Sequence, residues 1–167
     1  HFSSELMDVL HSENIECAFV TLHVGLDTFR PITHDNPTDH NIHTEFWELS
    51  AKAAAAINAA RKNGRRIVAV GTTTVRVLEQ CGLLAEQRGE SELESGCGWA
   101  DLFILPGHQF RVVEALITNF HLPKSSLLML VSAFIGFENT KKIYEIAVKE
   151  KYRFLSYGDA MLLKNEV

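Results

Sequence analysis

The sequence places hydroxyl side chains where a short apolar strand gives way to a helix. Residues 66–70 predict the strand, Gly71 follows it, and Thr72, Thr73 and Thr74 open the helix. A helix N-terminus presents free backbone N–H groups and a positive dipole end, so this turn is suited to an anion or a ribose. The pattern is neither a dinucleotide-binding nor a phosphate-loop glycine motif. The alternative is that Thr72 or Thr73 simply caps the helix.

Two histidine-containing segments offer proton-transfer chemistry. His23 ends a predicted strand two residues before Gly25, where α/β sheets place ligand groups; the alternative is a hydrogen-bonded core histidine. His40, His43 and Glu45 lie further along the chain. Their spacing matches no common zinc motif, so it favours an acid–base pair over a metal site.

Two later segments carry polar residues in apolar or tight surroundings. Asn119 and His121 stand between apolar stretches and need polar partners, so they either line a pocket or tie down a turn. Tyr157, Gly158 and Asp159 predict a turn near the C-terminus. This turn either delivers a carboxylate to a site or is a plain tight turn stabilised by local hydrogen bonds.

The elements that must position these residues alternate between helix and strand. Helices are predicted over residues 5–11, 45–62, 73–80, 125–134 and 140–151, and strands over 17–24, 66–70, 101–105 and part of 110–119. Residues 85–98 predict a long polar surface loop, and residues 154–163 a terminal strand or loop. The alternation predicts one α/β domain over residues 1–167, with a parallel or mixed sheet flanked by helices.

Composition and charge narrow the function classes. The 167 residues are 46% hydrophobic and 22% charged, which is typical of a globular domain. No stretch offers the ~20 apolar residues of a membrane span, and three cysteines without close spacing indicate a reducing, cytoplasmic setting. A net charge of −5 gives no indication of a basic surface that would bind nucleic acid. Basic residues form two loose clusters, within 61–66 and 141–153. Each cluster is either a solvated helix face or a set of phosphate contacts.

Five segments together resemble one enzyme family. They are TLHVG at 21–25 with Thr28 and Phe29, AVGTTTVR at 69–76, DLFI at 101–104, ALITNFHLPKS at 115–125, and YRF at 152–154 with SYGDAM at 156–161. By their order and joint presence, these segments resemble the S-adenosylmethionine:tRNA ribosyltransferase-isomerases of queuosine biosynthesis. The likeness runs from His1 to about residue 163, which is nearly the whole chain.

The resemblance implies an unusual transfer reaction. This family moves the ribosyl part of S-adenosylmethionine onto 7-aminomethyl-7-deazaguanine at the tRNA wobble position, giving epoxyqueuosine and releasing adenine and methionine. S-adenosylmethionine is thus a consumed substrate, and no cofactor or metal is expected. The sulfonium acidifies the adjacent ribose carbon, so a base in a shielded site can remove a proton there.

The resemblance also implies which residues act and with what partners. Catalytic roles are expected for His23, Glu45, His121 and Asp159, and substrate binding for Gly25, Gly71, Thr72, Thr73, Thr74, Arg76, Asn119 and Tyr157. We expect His43, Glu45 and His121 to act without a metal. The expected partners are S-adenosylmethionine and a tRNA that carries the modified base, with the protein acting as a cytoplasmic monomer and not at a membrane.

The chain departs from the family pattern in places. Leu26 and Asp27 stand where the family has a small residue and glycine, and Ala100 stands where it favours threonine. The family's chain is longer, so this sequence is expected to be a C-terminal portion without the N-terminal region and its β-rich inserted domain. Such a portion alone is expected to be inactive or impaired. The alternatives are a non-catalytic α/β fragment and a methyltransferase-like nucleotide-binding domain.

Overall fold

The helices and strands form two three-stranded sheets with helices packed against them. The computed structural model describes residues 2–25 and 44–164. The elements within these ranges are α1 (Ser4–Ser12), β1 (Thr21–His23), β2 (Glu45–Leu49), α2 (Ala51–Lys62), β3 (Val68–Val70), α3 (Thr72–Gln87), β4 (Gly96–Ala100), β5 (Ala115–Asn119), α4 (Ser126–Ile135), α5 (Phe137–Lys149) and β6 (Ala160–Lys164).

The first sheet is mixed and has the strand order β3-β5-β6. Strands β3 and β5 are parallel, with Val70 opposite Ile117, and β6 runs antiparallel to β5. The α/β prediction with a mixed sheet is confirmed. Because β3 and β5 are parallel, their carboxyl ends share one edge, and the turns that follow them lie side by side there.

The second sheet is antiparallel, with the order β1-β2-β4. The prediction of a single helix over residues 45–62 is wrong for its first five residues, which form β2. Burial alternates along β2 with Glu45, Trp47 and Leu49 buried, a period of two that only a strand produces. The helix begins after Ser50, whose side chain accepts a hydrogen bond from the Ala53 N–H at 3.2 Å.

The region between α3 and β5 differs most from the sequence-based expectation. Helix α3 continues to Gln87, into the stretch predicted as a loop, and the end of that stretch begins β4. In β4, Gly98 packs beside Trp47 of β2, and a Cβ atom on Gly98 would be in ordinary van der Waals contact with that ring, 3.4 Å from Nε1. Residues 101–105, predicted as a strand, form none, although Ile104 is buried. The strand predicted over 17–24 is limited to β1.

Helix α3 packs against strands of both sheets. Its buried apolar residues include Val75 and Val77, which belong to the same core as Leu49 of β2 and Leu116 of β5. The last two helices are close to prediction, since Ser125 caps α4 and Gly136, with a φ of +82°, separates α4 from α5. Residues on the first turns of α3 are therefore held near both sheets.

No helix in the described part of the chain is long and apolar enough to cross a membrane.

Candidate functional site

A buried ion pair joins the second sheet to the first turns of α3. Glu45 at the start of β2 is 2% exposed and Arg76 of α3 is 4% exposed. Arg76 Nη1 donates to Glu45 Oε2, while Glu45 Oε1 accepts a hydrogen bond from the Gly25 N–H at 3.0 Å. Three residues expected to function together from the sequence are thus brought into contact.

The Arg76 guanidinium has spare donors. Its Nε and Nη2 atoms are buried and have no hydrogen-bond partner among the described residues. Burial lowers the pKa of Arg76 and the neighbouring Glu45 carboxylate raises it. A buried donor without a partner costs about 1–3 kcal/mol, so oxygen atoms of a ligand that reach these groups gain strong hydrogen bonds.

The glycine–threonine turn lies one helical turn before Arg76. Gly71 is the N-cap of α3, has a φ of +87°, and leaves the first turn without a side-chain cap. The alternative that Thr72 or Thr73 caps the helix is therefore wrong. Thr74 donates its hydroxyl to the Val70 carbonyl at 2.7 Å. Thr72 and Arg76 are four residues apart and therefore share one helix face.

The loops at the carboxyl edge of the mixed sheet meet beside this turn. The Gly71 N–H donates to the Ile117 carbonyl at 2.8 Å, which ties the start of α3 to β5. Asn119 Nδ2 donates to the Asp159 carbonyl at 3.2 Å, which ties the end of β5 to the turn before β6. Of the two roles predicted for Asn119, the structure shows that it ties down a turn.

His121 lies inside the protein, 9% exposed. Its Nε2 is 3.0 Å from the Thr118 hydroxyl, and its backbone N–H donates to the Tyr144 hydroxyl at 2.9 Å. Burial lowers the pKa of His121 to about 4, so the imidazole is neutral at pH 7. His121 thus has polar partners within the fold and enters any proton transfer from its neutral form.

His23 is exposed, so the alternative of a core histidine is wrong. It pairs with Phe46, which pairs with Trp99 across the sheet, and the ring centroids are 5.7 and 5.6 Å apart. This row of rings occupies the face of the sheet opposite to Glu45, because neighbouring residues of a strand point to opposite faces. The structure therefore does not bring His23 and Glu45 side chains together. The sequence Glu-Phe-Trp-Glu-Leu at 45–49 does not alternate polar and apolar residues, so it gave no signal for this row.

Asp159 closes a loop near the C-terminus. Its Oδ2 accepts a hydrogen bond from the Arg153 N–H at 2.7 Å, and its Oδ1 accepts one from Arg153 Nη2 at 2.8 Å. These hydrogen bonds lower the pKa of Asp159. Tyr157, in the same loop, is 94% exposed. The pairing of Arg153 with Asp159 was not predicted, although the two residues lie six positions apart around a glycine turn and have opposite charges.

A metal site needs several ligating side chains that converge on one point. Within residues 2–25 and 44–164, no three histidine, cysteine, aspartate or glutamate side chains come together in a way that would hold an ion. His40 and His43 lie outside the described residues. The expectation that His43, Glu45 and His121 act without a metal stays a prediction.

Comparison with known proteins decides the family. A family model described as queuosine biosynthesis protein matches residues 1–163. The chain belongs to this family. The queuosine biosynthesis family was the one that the five motifs resembled, so that recognition is confirmed.

Individual members of the queuosine biosynthesis family are similar over the whole chain. S-adenosylmethionine:tRNA ribosyltransferase-isomerase of Clostridium kluyveri is 52% identical over 164 residues, covering 98% of this chain and 47% of the relative. The protein of the same name from Symbiobacterium thermophilum is 53% identical over 163 residues, with coverages of 98% and 46%. The crystal structure of S-adenosylmethionine tRNA ribosyltransferase from Thermotoga maritima has a TM-score of 0.78 and 42% identity, with coverages of 97% and 50%. The chain spans about half the length of these relatives.

Proposed function

We propose that this chain carries part of the active site of an S-adenosylmethionine:tRNA ribosyltransferase-isomerase. The reaction moves the ribosyl part of S-adenosylmethionine onto 7-aminomethyl-7-deazaguanine at the tRNA wobble position. Epoxyqueuosine forms in the tRNA, and adenine and methionine leave. The names of the relatives, at about half sequence identity over nearly the whole chain, support this assignment.

The observation that carries the proposal is the buried Arg76 guanidinium with two donors lacking a partner in the described structure. S-adenosylmethionine offers a carboxylate and ribose hydroxyls, whose oxygens match these donors. The uncapped amides after Gly71 and the hydroxyls of Thr72 and Thr73 lie on the adjoining turn of α3 and add further donors. Gly25 lies beside these groups, because its N–H donates to Glu45 Oε1.

The chemistry needs a base near the ribose, because the sulfonium acidifies the adjacent ribose carbon. Glu45 is our first candidate for that base, because its carboxylate lies beside the Arg76 guanidinium whose spare donors we propose to hold the substrate. His121 in its neutral form, His23 and Asp159 remain proposed participants in proton transfer. Asn119 and Tyr157 are proposed to contact substrate at the edge where the loops after β5 and before β6 meet.

The proposal includes the setting in which the protein works. S-adenosylmethionine is consumed as a substrate, and no cofactor or metal takes part. The partner is a tRNA that carries the modified base, and the protein acts as a monomer in the cytoplasm. All three cysteines are free, Cys81 buried and Cys17 and Cys97 exposed, which suits a reducing compartment.

Calorimetric titration with S-adenosylmethionine tests the site. Arg76→Lys retains a cation beside Glu45 but removes the spare guanidinium donors, so we expect the fold to persist and affinity to fall about tenfold or more. Lys52→Arg on the exposed side of α2 is the matched control and should bind like wild type. Equal affinity of Arg76→Lys and wild type would remove Arg76 from the ligand site.

Product analysis tests the reaction. With S-adenosylmethionine and tRNA bearing the modified base, an active full-length relative should release adenine and methionine. Transfer of a methyl group without adenine release would instead favour the methyltransferase-like alternative.

A further inference from the structure

Residues 153–159 form a closed loop whose two ends are locked together. Besides the three hydrogen bonds from Arg153 to the Asp159 carboxylate, the Asp159 N–H donates to the Arg153 carbonyl at 2.9 Å. Gly158 lies so close to this carbonyl that a Cβ atom at position 158 would overlap it. The Leu155 N–H also donates to the Phe120 carbonyl at 2.9 Å, which fixes the loop to the end of β5. The backbone from which the exposed side chains of this loop project is therefore fixed.

The side chain held furthest into solvent is Tyr157, at 94% exposure. Leu155 and Tyr152 are also largely exposed on this segment. A tyrosine ring in this position adds almost nothing to folding stability, because it is not buried within the chain. It can add to binding free energy when a partner covers it. A tyrosine side chain has only two torsion angles to fix, so it loses little conformational entropy when it binds, which makes it an effective contact.

The charges around the loop are opposite in sign to those of the whole chain. Lys149, Lys151 and Arg153 lead into it, Lys124 lies in the turn after His121, and the acids of these segments are Glu150 and Asp159. These residues give a local charge of +2, against −5 for the whole chain. Within the described structure, neither Lys124 nor Lys151 forms an ion pair with a carboxylate. Both ammonium groups are exposed and open to phosphate.

We propose that this loop is an RNA contact, in which the Tyr157 ring stacks on an unpaired base while Lys151 and Lys124 contact the phosphate backbone. An exposed ring flanked by cations is the combination that single-stranded nucleic acid recognises. The loop joins the candidate site directly, because Asn119 donates to the Asp159 carbonyl at the edge beside Gly71. The inference rests on the proposed function and adds the surface for the tRNA loop.

The test is binding of fluorescein-labelled RNA measured by fluorescence anisotropy. The probes are a hairpin with the sequence of a tRNA anticodon arm and a fully paired duplex of the same length. Tyr157→Ala should weaken hairpin binding about tenfold, the loss expected for one base stack, and leave duplex binding unchanged. Tyr157→Phe keeps the ring and should retain hairpin affinity. Lys151→Gln should weaken both complexes and reduce the slope of log affinity against log salt concentration by about one.

The outcomes separate this inference from the proposed function. If wild type binds the hairpin and Tyr157→Ala binds it equally well, the stacking contact is refuted while the S-adenosylmethionine site stands on its own calorimetric test. If wild type does not bind the hairpin, the RNA surface is refuted. Equal losses of hairpin and duplex affinity in Tyr157→Ala would also overturn stacking on an unpaired base. Unfolding midpoints of the variants should match wild type, because Tyr157 is nearly fully exposed.

Discussion

Acidification should destabilise this protein through the buried imidazole of His121. Burial lowers the pKa of His121 from 6.5 to about 4 in the folded state. Between these values the unfolded chain binds more protons than the folded one, so the free energy of unfolding falls as the pH falls. The loss begins near pH 6.5 and is complete below about pH 4. The pKa difference corresponds to about 3 kcal/mol in total, or about 1.4 kcal/mol per pH unit within the window.

Urea unfolding followed by tryptophan fluorescence measures this effect, since Trp47 is buried in the core. The matched variant is His121→Gln, which keeps an amide near the Thr118 hydroxyl but does not titrate. Between pH 7 and pH 5, wild type should lose about 2 kcal/mol more than the variant. The hydrogen bonds from Arg153 lower the pKa of Asp159, so its carboxylate does not mimic the difference. Parallel losses in wild type and variant would refute a buried, neutral His121.

Four further expectations follow from the fold and the site. Thr73→Val should weaken S-adenosylmethionine binding in a calorimetric titration of an active full-length enzyme without changing its melting temperature. Glu79→Gln should lower the free energy of unfolding in urea by about 2 kcal/mol, because this buried carboxylate accepts hydrogen bonds from the backbone N–H groups of residues 111–113. Elemental analysis should find no stoichiometric zinc or iron; metal together with loss of activity on chelation would contradict this. Since the chain spans about half of its relatives, its adenine release should be far slower than theirs, and an equal rate would disprove a shared active site.

Local signals in the sequence predicted much of the fold. Ser3 and Ser125 cap their helices, and Gly136 ends α4, because each acts through its own backbone neighbours. The strand–glycine–helix unit at Gly71 was also predictable, and with it the α/β class. These features depend on contacts within a few residues, which periodicity and turn chemistry report well.

The errors came where a distant partner decides the structure. Residues 45–49 read as the start of a helix because α2 follows them directly, but pairing with β1 and β4 makes them a strand. The glycines of β4 suggested a loop, whereas pairing with β2 makes this segment a strand. Tertiary contacts override local propensity at such positions.

The candidate site shows the same division. The glycine–threonine turn was visible as a motif, but the contact between Arg76 and Glu45 joins residues 31 positions apart and has no local signature. The structure also separates His23 from Glu45 by placing them on opposite faces of one sheet. Only the register of β1 against β2 determines that separation.

The position of α3 has a consequence for how the protein opens. A helix of 16 residues is about 24 Å long, and this one supplies core residues that both sheets share. Detaching α3 would uncover the buried faces of both sheets at once, so neither sheet has an independent opening reaction of its own. Amide hydrogens of β2 and β5 should accordingly exchange with deuterium at a common opening free energy, close to that of global unfolding, whereas separate values would show two independent units.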